Sequence, residues 1–125
     1  MSLVFDTGAL LALERNERAM WVRLKAAVVD GESPRTHAGV VGQAWRGGSR
    51  QARLSTALAG IDIHPIDDAT GRLAGQLLGA ARLDDVIDAA VALLAQDGDD
   101  IITSDHDHLE QLANALGRHV ELIHP

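Results

Sequence analysis

The spacing of apolar residues changes along the chain, and each change marks an element. Residues 3–6, Leu-Val-Phe-Asp, give a short unbroken apolar run closed by an acid, as a strand buried on both faces requires. Thr7-Gly8 then turns into a helix in which Ala9, Leu10, Leu11 and Leu13 are apolar and Thr7 is a candidate N-cap. After a charged break at 14–18, residues 19–29 form an amphipathic helix with Trp21, Leu24 and Val28 on one face. Asp30-Gly31-Glu32-Ser33-Pro34 is a loop, and Arg35-Thr36 a short strand. A helix over 37–46 presents Val40, Val41, Ala44 and Trp45, and Gly47-Gly48 ends it. A further helix over 49–59 turns Leu54 and Leu58 inward and Arg50 and Arg53 outward.

Residues 61–66 alternate and read as a strand. Asp67 or Asp68 caps the next helix, which runs to about residue 81 with Leu73, Leu77 and Leu78 inside. The stretch 83–109 is the most sharply patterned. Val86, Ile87, Ala90, Val91 and Leu94 recur at helical spacing, Asp97-Gly98-Asp99 stops that helix, and 100–103 is a buried strand. Ser104-Asp105-His106-Asp107 is then the loop at the strand's carboxyl end. A helix over 108–116, stopped by Gly117, and a last strand over 120–123 complete the chain. Strands alternating with helices predict an α/β fold, a parallel sheet sandwiched by helices, with residues 1–125 as a single domain. Sites in such sheets lie at the carboxyl ends of the strands, where the strand order reverses.

Composition narrows the function. With 125 residues, 46% of them hydrophobic, the chain can bury a core. It has no cysteine, hence no disulfide and no thiolate metal site. No apolar run approaches the ~20 residues of a membrane span. No basic, apolar leader precedes the first strand, so a cytoplasmic protein is expected. The net charge of −7 is unevenly spread. Residues 1–60 hold eight Lys/Arg against five Asp/Glu, and residues 61–125 hold three against thirteen. A basic half beside an acidic half suits an enzyme that grips phosphates on one side and cleaves at the other, although a solvated surface of uneven charge has the same composition.

Three acids stand out by position. Asp6 ends the first strand, Asp105 sits at the mouth of the strand 100–103, and Asp88 interrupts an apolar helix face where Asp is a poor helix former. Like charges gathered in a cleft repel unless a cation neutralises them, so the three together ask for a metal. Each has a structural alternative: Asp6 and Asp105 are also plausible caps. Asp84 and Asp85 precede Asp88 by four and three residues and can share its helix side. Asp84 is expected to cap; Asp85 could cap or reach the metal. Asp107 could cap the following helix or bind metal through water. Oxygen-only ligation with retained water fits Mg²⁺, or Mn²⁺. Thr103 or Ser104 would hydrogen-bond a site acid or the phosphate, and the Thr7 hydroxyl could support Asp6. The run Asp105-His106-Asp107-His108 invites a zinc or general-base role, but adjacent loop histidines are more often solvated. Core packing is the default for Trp21 and Trp45. No phosphate-binding glycine loop occurs.

The runs F-D-T-G-A-L-L-A-L, D-V-I-D-A-A-V-A-L-L-A and I-I-T-S-D-H-D-H-L resemble the signature segments of PIN-domain ribonucleases, above all the VapC-type toxins of bacterial toxin–antitoxin pairs. A fourth run, G-Q-A-W-R-G-G at 42–48, falls where that family has an acid followed by a hydrophobic pair and Arg. The resemblance spans the whole chain in order. It implies a PIN-like, Rossmann-like three-layer fold in which the strands ending at Asp6 and leading to Asp105 are neighbours. It implies that Asp6, Asp88 and Asp105 are catalytic, metal-binding acids of a metal-dependent endoribonuclease. RNA would be the substrate, a small antitoxin protein the partner, and a homodimer the assembly. Gln43 departs from the pattern: it stands in the place of the family's second acid, and its neutral amide withholds one charge and cannot take a proton from water.

Arg46, Arg50 and Arg53 are candidate contacts to RNA phosphates, with a solvated helix end an equal reading of Arg46. Two other functions compete. A degenerate PIN module would bind RNA or antitoxin without cutting, and Gln43 favours it. A phosphotransfer domain also ends its first strand in Asp, but Asp6 has no acid two residues on and no late loop carries a Lys.

Overall fold

The computed structural model describes residues 2–125. Strands β1 (Leu3–Phe5), β2 (Arg35–His37), β3 (Asp62–His64), β4 (Asp100–Ile102) and β5 (Glu121–Ile123) form one sheet in the order β3-β2-β1-β4-β5. Every pairing is parallel, with Val4 opposite Arg35 and Ile101. The helices are α1 (Thr7–Glu14), α2 (Arg18–Val29), α3 (Ala38–Ala44), α4 (Ala52–Leu58), α5 (Asp68–Ala81), α6 (Val86–Leu94) and α7 (His106–Leu116). A single 3₁₀ turn, Ser49–Gln51, leads into α4. The result is the predicted three-layer α/β sandwich. From β1 the chain steps through β2 to β3, then crosses back to β4 and β5, so the order reverses between β1 and β4. That is where a parallel sheet opens its binding crevice.

The core follows from the two unbroken apolar runs. Val4, Phe5, Ile101 and Ile102 are fully buried at successive positions, so both faces of β1 and β4 are covered. Helix α6 lies on β1 and β2 and packs against α5 and α7, while α1 packs against α2, α3 and α4. Its buried Ala89, Ala90, Val91 and Ala92 are small enough to bring α6 close to its neighbours. Arg118 ends that helix by donating to the carbonyls of Leu93 at 2.8 Å and Ala95 at 2.6 Å. At the amino ends of the strands, buried Asp99 accepts from Arg35 at 2.5 Å and from the amides of Ser2 and Gln96 at 2.9 Å each. One carboxylate thus ties together the starts of β1, β2 and β4.

Several details differ from expectation. The helix expected over 37–46 is shorter at both ends. His37 ends β2 and caps α3, its Nδ1 accepting from the Gly39 amide at 3.1 Å. Beyond Ala44 the chain turns extended, because buried Gln51 takes the amides of Arg46 at 2.7 Å and Gly47 at 2.9 Å and donates to the Ala44 carbonyl at 2.8 Å. Trp45 is exposed rather than in the core, as are Val28 and Leu73. Trp21 is half-buried, its indole donating to the Leu13 carbonyl. Asp6, not Thr7, is the N-cap of α1. Helix α7 starts at His106, two residues earlier than expected, so His106 and Asp107 join His108 in its first turn instead of forming a loop.

Candidate active site

Asp6 is the first residue past β1, in extended conformation and only 5% exposed. Its Oδ1 accepts from the Thr7 amide at 2.7 Å and its Oδ2 from the Thr103 hydroxyl at 2.9 Å. Thr103, buried just past β4, accepts in turn from the Asp105 amide at 2.9 Å. One threonine thus couples the carboxyl ends of the two strands that flank the reversal. Close approach of the α1 start to the 103–105 segment needs Gly8. A β-carbon there would lie 2.1 Å from Ser104 Oγ and 3.0 Å from its Cβ. Ser104 itself is exposed.

Asp88 comes from the first turn of α6 and is 8% exposed. Asp85, in the cap position, accepts from the amides of Ile87 at 2.9 Å and Asp88 at 3.1 Å, which fixes the helix start. Asp84 is exposed and does not cap. Asp88, Asp105 and His108 each offer a ligand atom, all within 4.8 Å of one another. These three, with Asp85, line a cleft of about 210 Å³. Asp107 is exposed in the first turn of α7 and does not line the cleft.

The electrostatics are those of crowded carboxylates. Burial, and then the charges of Asp6, Asp85 and Asp105, push the Asp88 carboxyl up to about 7. Burial also raises Asp6 against the opposing hydrogen bonds from Thr7 and Thr103, and the charges of Asp105 and Asp85 raise it further. His108 is raised by its hydrogen bond to Asp105, with Nδ1 at 2.9 Å from Asp105 Oδ2. The same nitrogen lies 3.9 Å from Asp88 Oδ2. The histidine expected to be solvated therefore faces two of the acids.

Gln43 is exposed on α3, and its Oε1 accepts a hydrogen bond from the Thr7 hydroxyl. That contact joins α3 to the residue after Asp6, so Gln43 borders the acids. Arg46 lies beyond the helix and is exposed, its guanidinium donating to the carbonyls of Gly42 at 3.1 Å and Trp45 at 2.8 Å. Arg50 and Arg53 are exposed, Arg50 on the 3₁₀ turn and Arg53 on α4.

Buried His37 carried no argument in the sequence. Its Nδ1 accepts from a backbone amide, so Nε2 must carry the proton and donates to the Ile87 carbonyl at 3.2 Å. This neutral tautomer, which burial favours, links α3 to the turn that presents Asp88. A histidine beside the β2 strand pattern was the one available signal.

No family model and no curated protein sequence matches the chain. Among solved structures it is similar to VapBC2 from Rickettsia felis bound to a DNA fragment from their promoter. That likeness has a TM-score of 0.68 at 13% identity and covers 98% of each chain, so the two share a fold over their full lengths.

Proposed function

We propose that the chain is a PIN-domain ribonuclease of the VapC toxin type, hydrolysing RNA phosphodiesters at a divalent ion held by Asp88 and Asp105 with Asp6 beside them. The observation that carries this reading is the convergence of three acids from β1, α6 and the β4–α7 junction on the crevice between β1 and β4. The donor set fits a cation. Asp88 is buried among like charges and shares a hydrogen bond with the Asp105 carboxyl, a pairing of two acids that a cation would replace. A divalent ion, Mg²⁺ or Mn²⁺, would neutralise the cluster, polarise the phosphodiester and acidify the attacking water. Asp88 and Asp105 would be the ligands, with Asp6 beside them oriented by Thr7 and Thr103. Asp85 holds Asp88 in place through the α6 cap, and Asp107, outside the cleft, would reach the ion only through water. Ser104 would hydrogen-bond a bound phosphate. Arg46, Arg50 and Arg53 would hold RNA on the basic half of the molecule.

The resemblance and the VapBC2 likeness support a small antitoxin as partner; a homodimer is what the sequence resemblance implies, and the cytoplasm is the place of action that goes with it. Among the described residues no helix is long and apolar enough to cross a membrane. A second reading, a module that binds RNA or antitoxin without cutting, is favoured by Gln43, whose Oε1 is engaged by Thr7.

The chemistry of the cut ends tests the first reading. Water attacking phosphorus leaves a phosphomonoester and a free hydroxyl. A 2′-hydroxyl attack leaves a 2′,3′-cyclic phosphate. RNA digested with Mn²⁺ should carry no cyclic ends, and cyclic ends would remove the metal hydrolysis proposed here.

A further inference from the structure

An oxygen-only metal site leaves His108 without a task. It nevertheless faces two of the acids, with Nδ1 at 2.9 Å from Asp105 and 3.9 Å from Asp88. Two donors about 2.1 Å from one ion stand roughly 3–3.5 Å apart in four- or six-coordinate geometry. The two separations from Nδ1 bracket that range and all three ligand atoms lie within 4.8 Å of one another, so modest side-chain adjustment would bring them onto one ion. Asp105 and His108 come from the same short segment, the cap and first turn of α7, and Asp105 is pinned through Thr103. Asp88, 8% exposed and hydrogen-bonded carboxyl to carboxyl with Asp105, lines the same cleft, whose apolar walls are Leu83 and Leu112.

We propose that His108 Nδ1 is a direct ligand of the ion held by Asp88 and Asp105, so that the centre takes a borderline transition ion, Zn²⁺, Co²⁺ or Mn²⁺, in preference to Mg²⁺. The inference rests on reading the acids as a divalent centre. Mg²⁺ is a hard ion that takes oxygen and gives up water reluctantly. Imidazole binds zinc-like ions well, and a site of two carboxylates and one histidine is a common ligand set for them. The alternative is that His108 is only an ion-pair partner of Asp105, displaced when a metal enters.

Calorimetry with Mg²⁺, Mn²⁺, Co²⁺ and Zn²⁺ on the full chain and on His108→Ala separates these. His108 is exposed at a helix start, so the variant should fold, which circular dichroism verifies. The proposal expects the variant to lose about tenfold or more in affinity for Zn²⁺ and Co²⁺ and less than about threefold for Mg²⁺. It also expects the visible spectrum of bound Co²⁺ to change, and the His108 ring signals of the Co²⁺ protein to be paramagnetically shifted. Equal losses for all four ions, or an unaltered Co²⁺ spectrum with no shifted ring signal, would overturn it while leaving the metal centre standing. If no ion binds the parent protein, the metal reading itself fails, and this inference with it.

Discussion

Gln43 is a single atom exchange away from a carboxylate, and its Oε1 is tied to Thr7, next to Asp6. Gln43→Glu keeps the size and the acceptor and adds a charge. With Mn²⁺ present the variant should bind the ion about 1–3 kcal/mol more tightly if coordination is direct, and cut RNA faster. Without metal it should melt at a lower temperature, because a fourth acid then joins the repulsion. Calorimetry and melting curves read the two opposite signs; equal affinities would place Gln43 outside the centre. Asp88 gives a second residue-level prediction. Its carboxyl is raised from 3.8 to about 7, so the folded protein holds a proton that the unfolded chain releases. Stability from this group is therefore full below about pH 4 and is lost as pH rises to about 7. Metal-free protein should melt progressively lower across that window, and Asp88→Asn should flatten the trend and stabilise the apo form at pH 8 by about 1–2 kcal/mol. A melting temperature independent of pH there would mean that Asp88 is not crowded. The acids were legible in the sequence because a carboxylate inside an apolar run is conspicuous. His108 was legible only as one of two histidines in the Asp105-His106-Asp107-His108 run; which of them faces the acids depends on α7 starting at His106, and helix starts are set by local contacts that spacing does not encode.

At the scale of elements, the candidate site depends on how closely the start of α1 meets the segment after β4. Gly8→Ala would put a methyl 2.1 Å from Ser104 Oγ. The hydroxyl can rotate away, but the Ser104 Cβ and backbone nitrogen remain at 3.0 and 3.2 Å, so the segment has to give. The expected cost is about 1 kcal/mol of stability, with weaker Mn²⁺ binding because Asp105 moves with its neighbour. Adding Ser104→Gly should restore most of both in melting and titration experiments; no recovery would mean that the effect arises elsewhere. The order of elements was readable from periodicity, since apolar runs and helical stripes alternate clearly. The bounds of α3 were not. Its early end is set by buried Gln51, whose amide meets Ala44, Arg46 and Gly47, and nothing in the hydrophobic pattern marks a glutamine as a core residue. Edge strand β3 ends at His64, its last residue paired with β2, although the alternation that marks it runs over 61–66.

At the scale of the whole molecule, the sheet reversal places the acids at one crevice, and the charge division sets the residues before 61 apart from those after it. Arg46, Arg50 and Arg53 are all exposed in the basic half. Replacing the three with Ala should weaken RNA binding without affecting Mn²⁺ affinity, and should lower the dependence of log affinity on log salt by roughly one unit per lost phosphate contact. Arg46 also caps carbonyls at the end of α3, so part of its effect would appear as lower stability. An unchanged salt slope would take these arginines off the RNA face.

The central claim is that the clustered acids form a divalent-ion centre that cuts RNA. The most direct measurement is the rate at which purified protein cleaves an end-labelled RNA in Mn²⁺, run beside Asp88→Asn purified in parallel and shown by circular dichroism to be folded. Cleavage by the parent protein should depend on Mn²⁺, be abolished by chelation and fall at least about a hundredfold in Asp88→Asn. Cleavage at the same rate by both proteins, or no cleavage by a parent protein that binds Mn²⁺, would contradict it.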